Sequence, residues 1–401
     1  DEDGAEKVYV ALQGLNKIGI ININSGEVEE IDINYHSVDC SGFNNVTDCA
    51  NNGCMWHDMG NMPSYCMSHG DSNTNDAPHF ISIDYTHRYW FVTTMMSGWV
   101  GRYSLNTGDL IDIILVGDSP ALMAIDENKQ ILYVSRMMLM EDGQHGAQTP
   151  FIQTIDYSDP EKMEFKEPLD ATIRGPHAVA INSDGSELFT STFEGDWLYK
   201  FMLEENNIRY TVPLETGYSQ DINDPYPTKR MKPVQAVLVE DSLLILSCSA
   251  GKWQDNSGIT HEIPGQVHLW NVNSEPMERK DTFLFNWDSR PWHLIASPTS
   301  NRVFVVLKGE DYDIYPDSDG VACLSYTSES MNLEWGGITR SVNFEELHGI
   351  DISDDGMTLF VSGFVDGKLH VIDASSGALK KSIYLGPQLE TQVAGVKYVR
   401  Q

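Results

Sequence analysis

Four histidines stand at one recurring point of this chain. His79, His177 and His348 open the stretches "PHFISID" (78–84), "GPHAVAINSDG" (175–185) and "LHGIDISDDG" (347–356), and His293 opens a fourth. Each stretch is a short alternating apolar run followed by a turn, in a chain with only 12 histidines in 401 residues. Neutral imidazole is the commonest transition-metal ligand among side chains. Methionine points the same way, because ten of the 16 methionines fall between residues 55 and 140. Met95 and Met96 lie in "TTMMSGW", and Met137, Met138 and Met140 in "SRMMLMEDGQHG" with His145. Met55, Met59, Met62 and Met67 accompany His57 and His69 in a polar segment that has little core to pack. Thioether with imidazole is the donor set of copper, above all Cu(I), whereas zinc or iron would favour more carboxylate or thiolate. The plainer alternative is a histidine bonded to neighbouring backbone and methionine used as packing.

Such ligands act together only if the fold brings them together. The chain shows no convincing helical period. Period-2 or apolar runs recur instead, separated by Gly, Asn and Asp turns, which is the pattern of antiparallel sheet. Aligned on the opening motif, units begin near His79, Ala121, His177, Gln235, His293 and His348. The last unit shows the order best: "HGIDIS", "TLFVSGF", "KLHVIDASSG" and "ALKKSIYL" are four strands. Four-strand repeats of this length predict a β-propeller. Residues 7–33 supply only three strands and "TQVAGVKYV" (391–399) a lone first strand. Pairing the two ends gives an all-β, seven-bladed ring over residues 1–401 with no open sheet edge at the seam.

Residues 35–77 fall outside the repeat and are expected as an insertion between blades 1 and 2 on the top face. They hold Cys40, Cys49, Cys54 and Cys66 in a Gly-, Asn- and Ser-rich stretch without a Cys-x-x-Cys pair. That arrangement predicts two disulfides and an oxidising compartment rather than zinc. Cys248 and Cys323 lie in apolar runs and are expected as buried thiols. The opening "DEDGAEK" fits a mature protein whose leader has been removed, located in the periplasm or at the cell surface and open to a lipid anchor before the sequence given. No run of 18 apolar residues predicts a membrane span. With 59 acidic and 26 basic residues the net charge is −33, which argues against nucleic acid and favours cations.

The repeat units, most closely "SDGSELFTSTFEGDWLYKF" and "DDGMTLFVSGFVDGKLHVID", resemble the YVTN/YncE-like propellers of bacterial surface and periplasmic proteins. The resemblance covers almost the whole chain outside 35–77 and implies a fold in which the first strand of each blade lines a central channel. The aligned positions then ring the mouth of that channel as His79, Ala121, His177, Gln235, His293, His348 and, from the closing strand, Gln392. The chain is also distantly similar to the propeller domain of nitrous oxide reductase, which holds a copper cluster with histidines at its channel mouth. It departs from that domain in having four ring histidines and no cupredoxin domain after the closing strand, so nitrous oxide reduction is not expected.

The expected function is capture or handling of a metal ion, copper, without catalysis. The ring histidines and the Met95–Met96 and Met137–Met140 loops (with His145) would be its ligands, and Gln235, Gln392 and the insertion's Met and His residues accessory ones. A metal-free surface module partnering an outer-membrane or other envelope protein is the alternative, and a lactonase- or quinoprotein-like enzyme the third reading. Calcium would draw on the top-face acids, among them Asp196, Glu310 and Asp319, although "KGEDYDIYPDSDG" lacks the glycine and closing glutamate of an EF-hand loop.

Overall fold

A computed structural model describes residues 6–35, 45, 55–57, 65–67, 76–117, 119–137, 151–170, 175–193, 195–204, 208–214, 231–254, 258–310 and 318–399. Seven antiparallel sheets form the seven blades of a propeller. Their first strands, from blade 2 onward, are Pro78–Asp84, Pro120–Asp126, Pro176–Ile181, Pro233–Val239, Pro291–Ala296, Leu347–Ile352 and Val393–Val399. The ring closes as the sequence predicts. Lys7–Leu12 pairs with Val393–Val399, with Lys7 opposite Val399 and Leu12 opposite Val393, so blade 1 takes its first strand from the far end of the chain. No helix among the described residues is long and apolar enough to cross a membrane.

The second strands are deeply buried. In "RVFVVL" of Arg302–Leu307 five consecutive residues are buried, because both faces of a blade press on neighbouring blades. The outer strands read differently. Val28–Asp32 and Leu379–Tyr384 are largely exposed, and charged side chains ("VEEID", "LKKSIY") keep those edges from pairing with other chains. Clusters of Leu, Val, Ile and aromatic residues fill each gap between blades, as where Leu244, Leu246 and Trp270 of blade 5 meet Phe189 and Leu198 of blade 4. Cys248 and Cys323 are fully buried free thiols, and burial lifts the Cys323 thiol to about 12.

Two elements depart from the plain four-strand unit. Blade 5 carries a second hairpin, Gly251–Gln254 with Thr260–Ile263, between its second and third strands. In blade 3 the outer edge is built from two short pieces, Glu164–Phe165 and Leu169–Asp170, both paired to Phe151–Asp156. Within the 35–77 insertion a short hairpin joins Met55–His57 to Tyr65–Met67. Its roots lie together, since the Tyr35 N–H donates to the buried Asp76 carboxylate at 3.1 Å. Cys40, Cys49 and Cys54 lie outside the described residues, as do Met59, Met62 and His69; Cys66 falls in the second strand of the hairpin.

Candidate functional site at the mouth of the channel

The same local device opens every first strand. The residue before it, Ala77, Ser119, Gly175, Lys232, Arg290, Glu346 or Gln392, has a φ between 44° and 79°. Six of these are not glycine, and five precede proline, which ordinarily pushes its predecessor to extended backbone. A hydrogen bond holds the conformation. The carbonyl of each of these residues accepts the N–H of the residue just after the second strand of the same blade, as in Met95 to Ala77, Phe193 to Gly175 and Lys308 to Arg290. Two residues then bulge opposite one. Pro78 pairs with Thr94 and Ile81 with Val92, leaving His79 and Phe80 facing Thr93 alone. Equivalent bulges occur in all seven blades.

In that frame the mouth has two registers. His79, Ala121, His177, Val234, Trp292, His348 and Ala394 occupy the first bulge position, and Phe80, Leu122, Ala178, Gln235, His293, Gly349 and Gly395 the second. Gln235 and His293 thus stand one residue later than the sequence alignment places them. Gln392 is not a ring residue; it precedes the closing strand, where Ala394 holds the position.

A hydroxyl opposite the bulge ties blade to blade. The Thr93 Oγ1 accepts the Phe80 N–H and donates to the Ala121 carbonyl of the next blade at 2.9 Å. Ser247 does the same between Gln235 N–H and Trp292 O, and Ser362 between Gly349 N–H and Ala394 O. In blade 4 the Ser191 hydroxyl is not so used. His177 substitutes for it, its Nδ1–H donating to the Val234 carbonyl at 2.5 Å, which gives this histidine a structural duty.

The other three histidines gather on one side. The His348 ring centre lies 4.7 Å from that of His293 and 5.2 Å from that of His79, each pair edge to face. Blade 1, which stands between blades 7 and 2, makes this possible by contributing only Ala394 and Gly395. A Cβ on Gly395 would sit 2.5 Å from the His79 carbonyl oxygen. His79 donates from Nδ1 to Gln13 Oε1 at 2.9 Å, but His293 Nε2 and His348 Nδ1 are buried with no hydrogen-bond partner among the described residues. Burial, more than mutual repulsion, pushes all four imidazoles down, His79 to about 3, His177 to about 4, and His293 and His348 well below the ordinary value. They are neutral at neutral pH, the form that ligates metals.

A second ring lies beside the first, formed by the residue after each second strand: Gln13, Met95, Met137, Phe193, Ser249, Lys308 and Phe364. Met95 and Met137 therefore do reach the mouth, half-buried, while the neighbouring Met96 is exposed. Met138, Met140 and His145 lie outside the described residues. Phe364 stacks on His348 at 5.3 Å, and Phe193 lies tilted against His177 at 5.9 Å. The Lys308 ammonium sits 4.9 Å from the Trp292 ring centre and 3.4 Å from the Glu346 carboxylate. Lys308, Phe364 and Gln13 escape a reading keyed to histidine and methionine. Their signal is positional, the first residue past each buried second strand.

Among the acids considered for calcium, those that lie in the described residues serve the framework. Asp196 accepts the Met231 and Lys232 N–H groups, Asp319 accepts the Glu346 N–H, and Glu310 pairs with Arg290. Among the described residues no group of three or more His, Cys, Asp or Glu stands in ligand geometry.

No family profile matches the sequence, and no curated protein does. Solved structures match along the whole ring. A functionally unknown protein from Desulfotomaculum acetoxidans superposes with a TM-score of 0.63 at 10% identity, covering 98% of this chain and 99% of that one. A candidate 6-phosphogluconolactonase from Bacteroides fragilis gives 0.62 at 13% identity, with 100% and 99% covered. The hydrazine synthase of Kuenenia stuttgartiensis gives 0.60 at 11%, with 86% and 99% covered. At such identities the likeness is one of fold, the β-propeller, a scaffold that carries many activities.

Proposed function

We propose that this is a metal-handling propeller that binds copper at the mouth of its channel, without catalysing a reaction. The observation that carries the reading is the grouping of His79, His293 and His348, with His293 Nε2 and His348 Nδ1 buried, neutral and unpartnered. Imidazoles sharing one ion at about 2.0–2.1 Å from each nitrogen hold their ring centres on the order of 5 Å apart, the separation of His348 from both His79 and His293. The rings meet edge to face, so loading an ion requires His293 and His348 to turn about their Cβ–Cγ bonds. Met95 and Met137 add thioethers at the adjoining ring, the soft donors that favour Cu(I). The proposal carries with it an extracytoplasmic location, in the periplasm or at the cell surface, kinship with YVTN/YncE-like propellers, and delivery to or from an envelope partner.

The test is Cu(I) titration of the protein against a competing chelator. The expected result is at least one tight equivalent, lost when His293→Ala and His348→Ala are combined. A wild-type protein that binds no copper, or a double variant that binds it equally well, overturns the reading. One observation favours a second reading. Lys308 places an ammonium beside these imidazoles, which suits an organic anion, and two of the structural neighbours are candidate 6-phosphogluconolactonases. Chelator-resistant lactone hydrolysis that is lost in Lys308→Met would establish that reading instead.

A further inference from the structure

On the outer side of blade 7, and independent of the copper reading, three side chains form a relay. Ser382 lies on the exposed outer strand Leu379–Tyr384, directly opposite His370 of the third strand Lys368–Asp373. The His370 Nδ1 is 2.9 Å from the Ser382 Oγ, and its Nε2 is 2.9 Å from Asp366 Oδ2. The carboxylate fixes the tautomer. Nε2–H donates to Asp366, so Nδ1 carries the lone pair and the serine hydroxyl donates to it. His370 is fully buried under the Phe344 ring at 4.8 Å, and Asp366 is 6% exposed, so the base and the residue that orients it are both held fixed. Ser382 itself is exposed. We propose that Ser382 is an activated nucleophile that takes up acyl groups from small activated esters.

Such a constellation is recognised by geometry and roles rather than by fold. Here the two ring nitrogens exchange places relative to the familiar triad, and either nitrogen serves as base. The strand ladder supplies the remaining element. The Leu385 N–H donates to Gly367 O at 2.9 Å, which makes that pair hydrogen-bonded and, three steps along, makes His370 and Ser382 a non-hydrogen-bonded pair. The Ser382 N–H therefore points away from the third strand, along the open edge, where it can meet the oxyanion formed on its own side chain. Tyr384, two residues on and 65% exposed, offers a ring beside the site for an aryl or acyl group. In the step itself the serine oxygen bonds to the ester carbonyl while its proton passes to His370 Nδ1. The proton then leaves with the alcohol, and water releases the acid by the same route.

The arrangement is no general device of these blades. The matching histidine of blade 5, His268, faces Thr282 in register but donates from Nε2 to Gln266. Asp196 and Asp319, in the same turn of other blades, accept backbone N–H groups instead. The experiment is timed labelling of the intact protein with a fluorophosphonate, in which the serine oxygen displaces fluoride, read by peptide mass spectrometry. We expect one dominant adduct, on Ser382, absent in Ser382→Ala. Asp366→Asn should slow it by at least 10-fold, consistent with the roughly 10²–10⁴-fold worth of positioned acid–base help. Thermal unfolding confirms that each variant is folded, and if Asp366→Asn is not, His370→Gln takes its place. Adducts spread over other serines, labelling no faster than in denatured protein, or an unchanged rate in the folded Asp366→Asn protein would each overturn the proposal.

Discussion

Acidification should loosen this propeller well above the pH at which ordinary carboxylates titrate, and the size of the effect follows from its buried histidines. Burial lowers His79 and His268 to about 3 and His177 to about 4, from 6.5 in the unfolded chain. Below 6.5 the unfolded state therefore binds protons that the folded state refuses, and stability falls with pH. Between pH 7.5 and 5.0 each such group costs about 2 kcal/mol by this linkage, roughly 6 kcal/mol for the three. His293 and His348, lowered further by burial and by neighbouring imidazoles and Lys308, act in the same direction. Asp319 acts against them. Burial raises its carboxyl to about 7, so its share of stability is present at low pH and lost as pH rises, an offset of about 2–3 kcal/mol over the same window. The net loss is comparable to the whole stability of a typical domain. Urea midpoints from pH 7.5 to 5.0 measure it. His268→Gln, remote from the mouth, should reduce the slope near pH 5 by about 1.2 kcal/mol per pH unit. Midpoints that stay flat over this range, or a variant with the wild-type slope, would refute the argument.

Ser247→Ala should cost about 1–3 kcal/mol in urea unfolding, because it strands the part-buried Gln235 N–H and Trp292 carbonyl, whereas Ser191→Ala, whose hydroxyl has no partner among the described residues, should shift the midpoint by less than about 0.5 kcal/mol. In Gly395→Ala the added methyl meets the His79 carbonyl and the Phe80 Cα, so the seam between blades 1 and 2 must open, lowering the melting temperature by the equivalent of about 1–3 kcal/mol. Lys200→Met leaves the half-buried Glu187 without its 2.6 Å partner and should destabilise by about 1–3 kcal/mol by denaturant titration, more than Lys162→Met at the exposed Lys162–Glu164 pair.

The architecture was legible because strand alternation and turn residues repeat along the chain, and because the unequal ends, three strands and one, leave a single way to complete the count. The mouth was legible only to within a residue. A bulge places two side chains where alternation expects one, so counting from an aligned histidine put Gln235, His293 and Gln392 in one ring, although they occupy the second bulge position or precede the strand altogether. Lys308 and Phe364 were invisible to a search for ligand types, since neither is a metal donor and their place follows from backbone hydrogen bonding. The Ser382–His370–Asp366 relay was equally hidden. Its members stand 4 and 12 residues apart with no motif between them, and only the register of two strands brings them into contact.

The seam in blade 1 also sets the order in which the molecule can be completed during synthesis. The edge of Lys7–Leu12 is made first, yet its partner, Val393–Val399, emerges from the ribosome after the strands of every other blade have been translated. For that whole interval one backbone edge of the strand has no partner, although its other edge pairs with Lys17–Asn22 and Tyr9 and Ala11 can already pack on Ile81 and Trp90 of blade 2. A chain that stalls late is therefore an open ring with an adhesive edge, a substrate for chaperones and proteases. Arrival of Val393–Val399 converts it in one step to a closed ring.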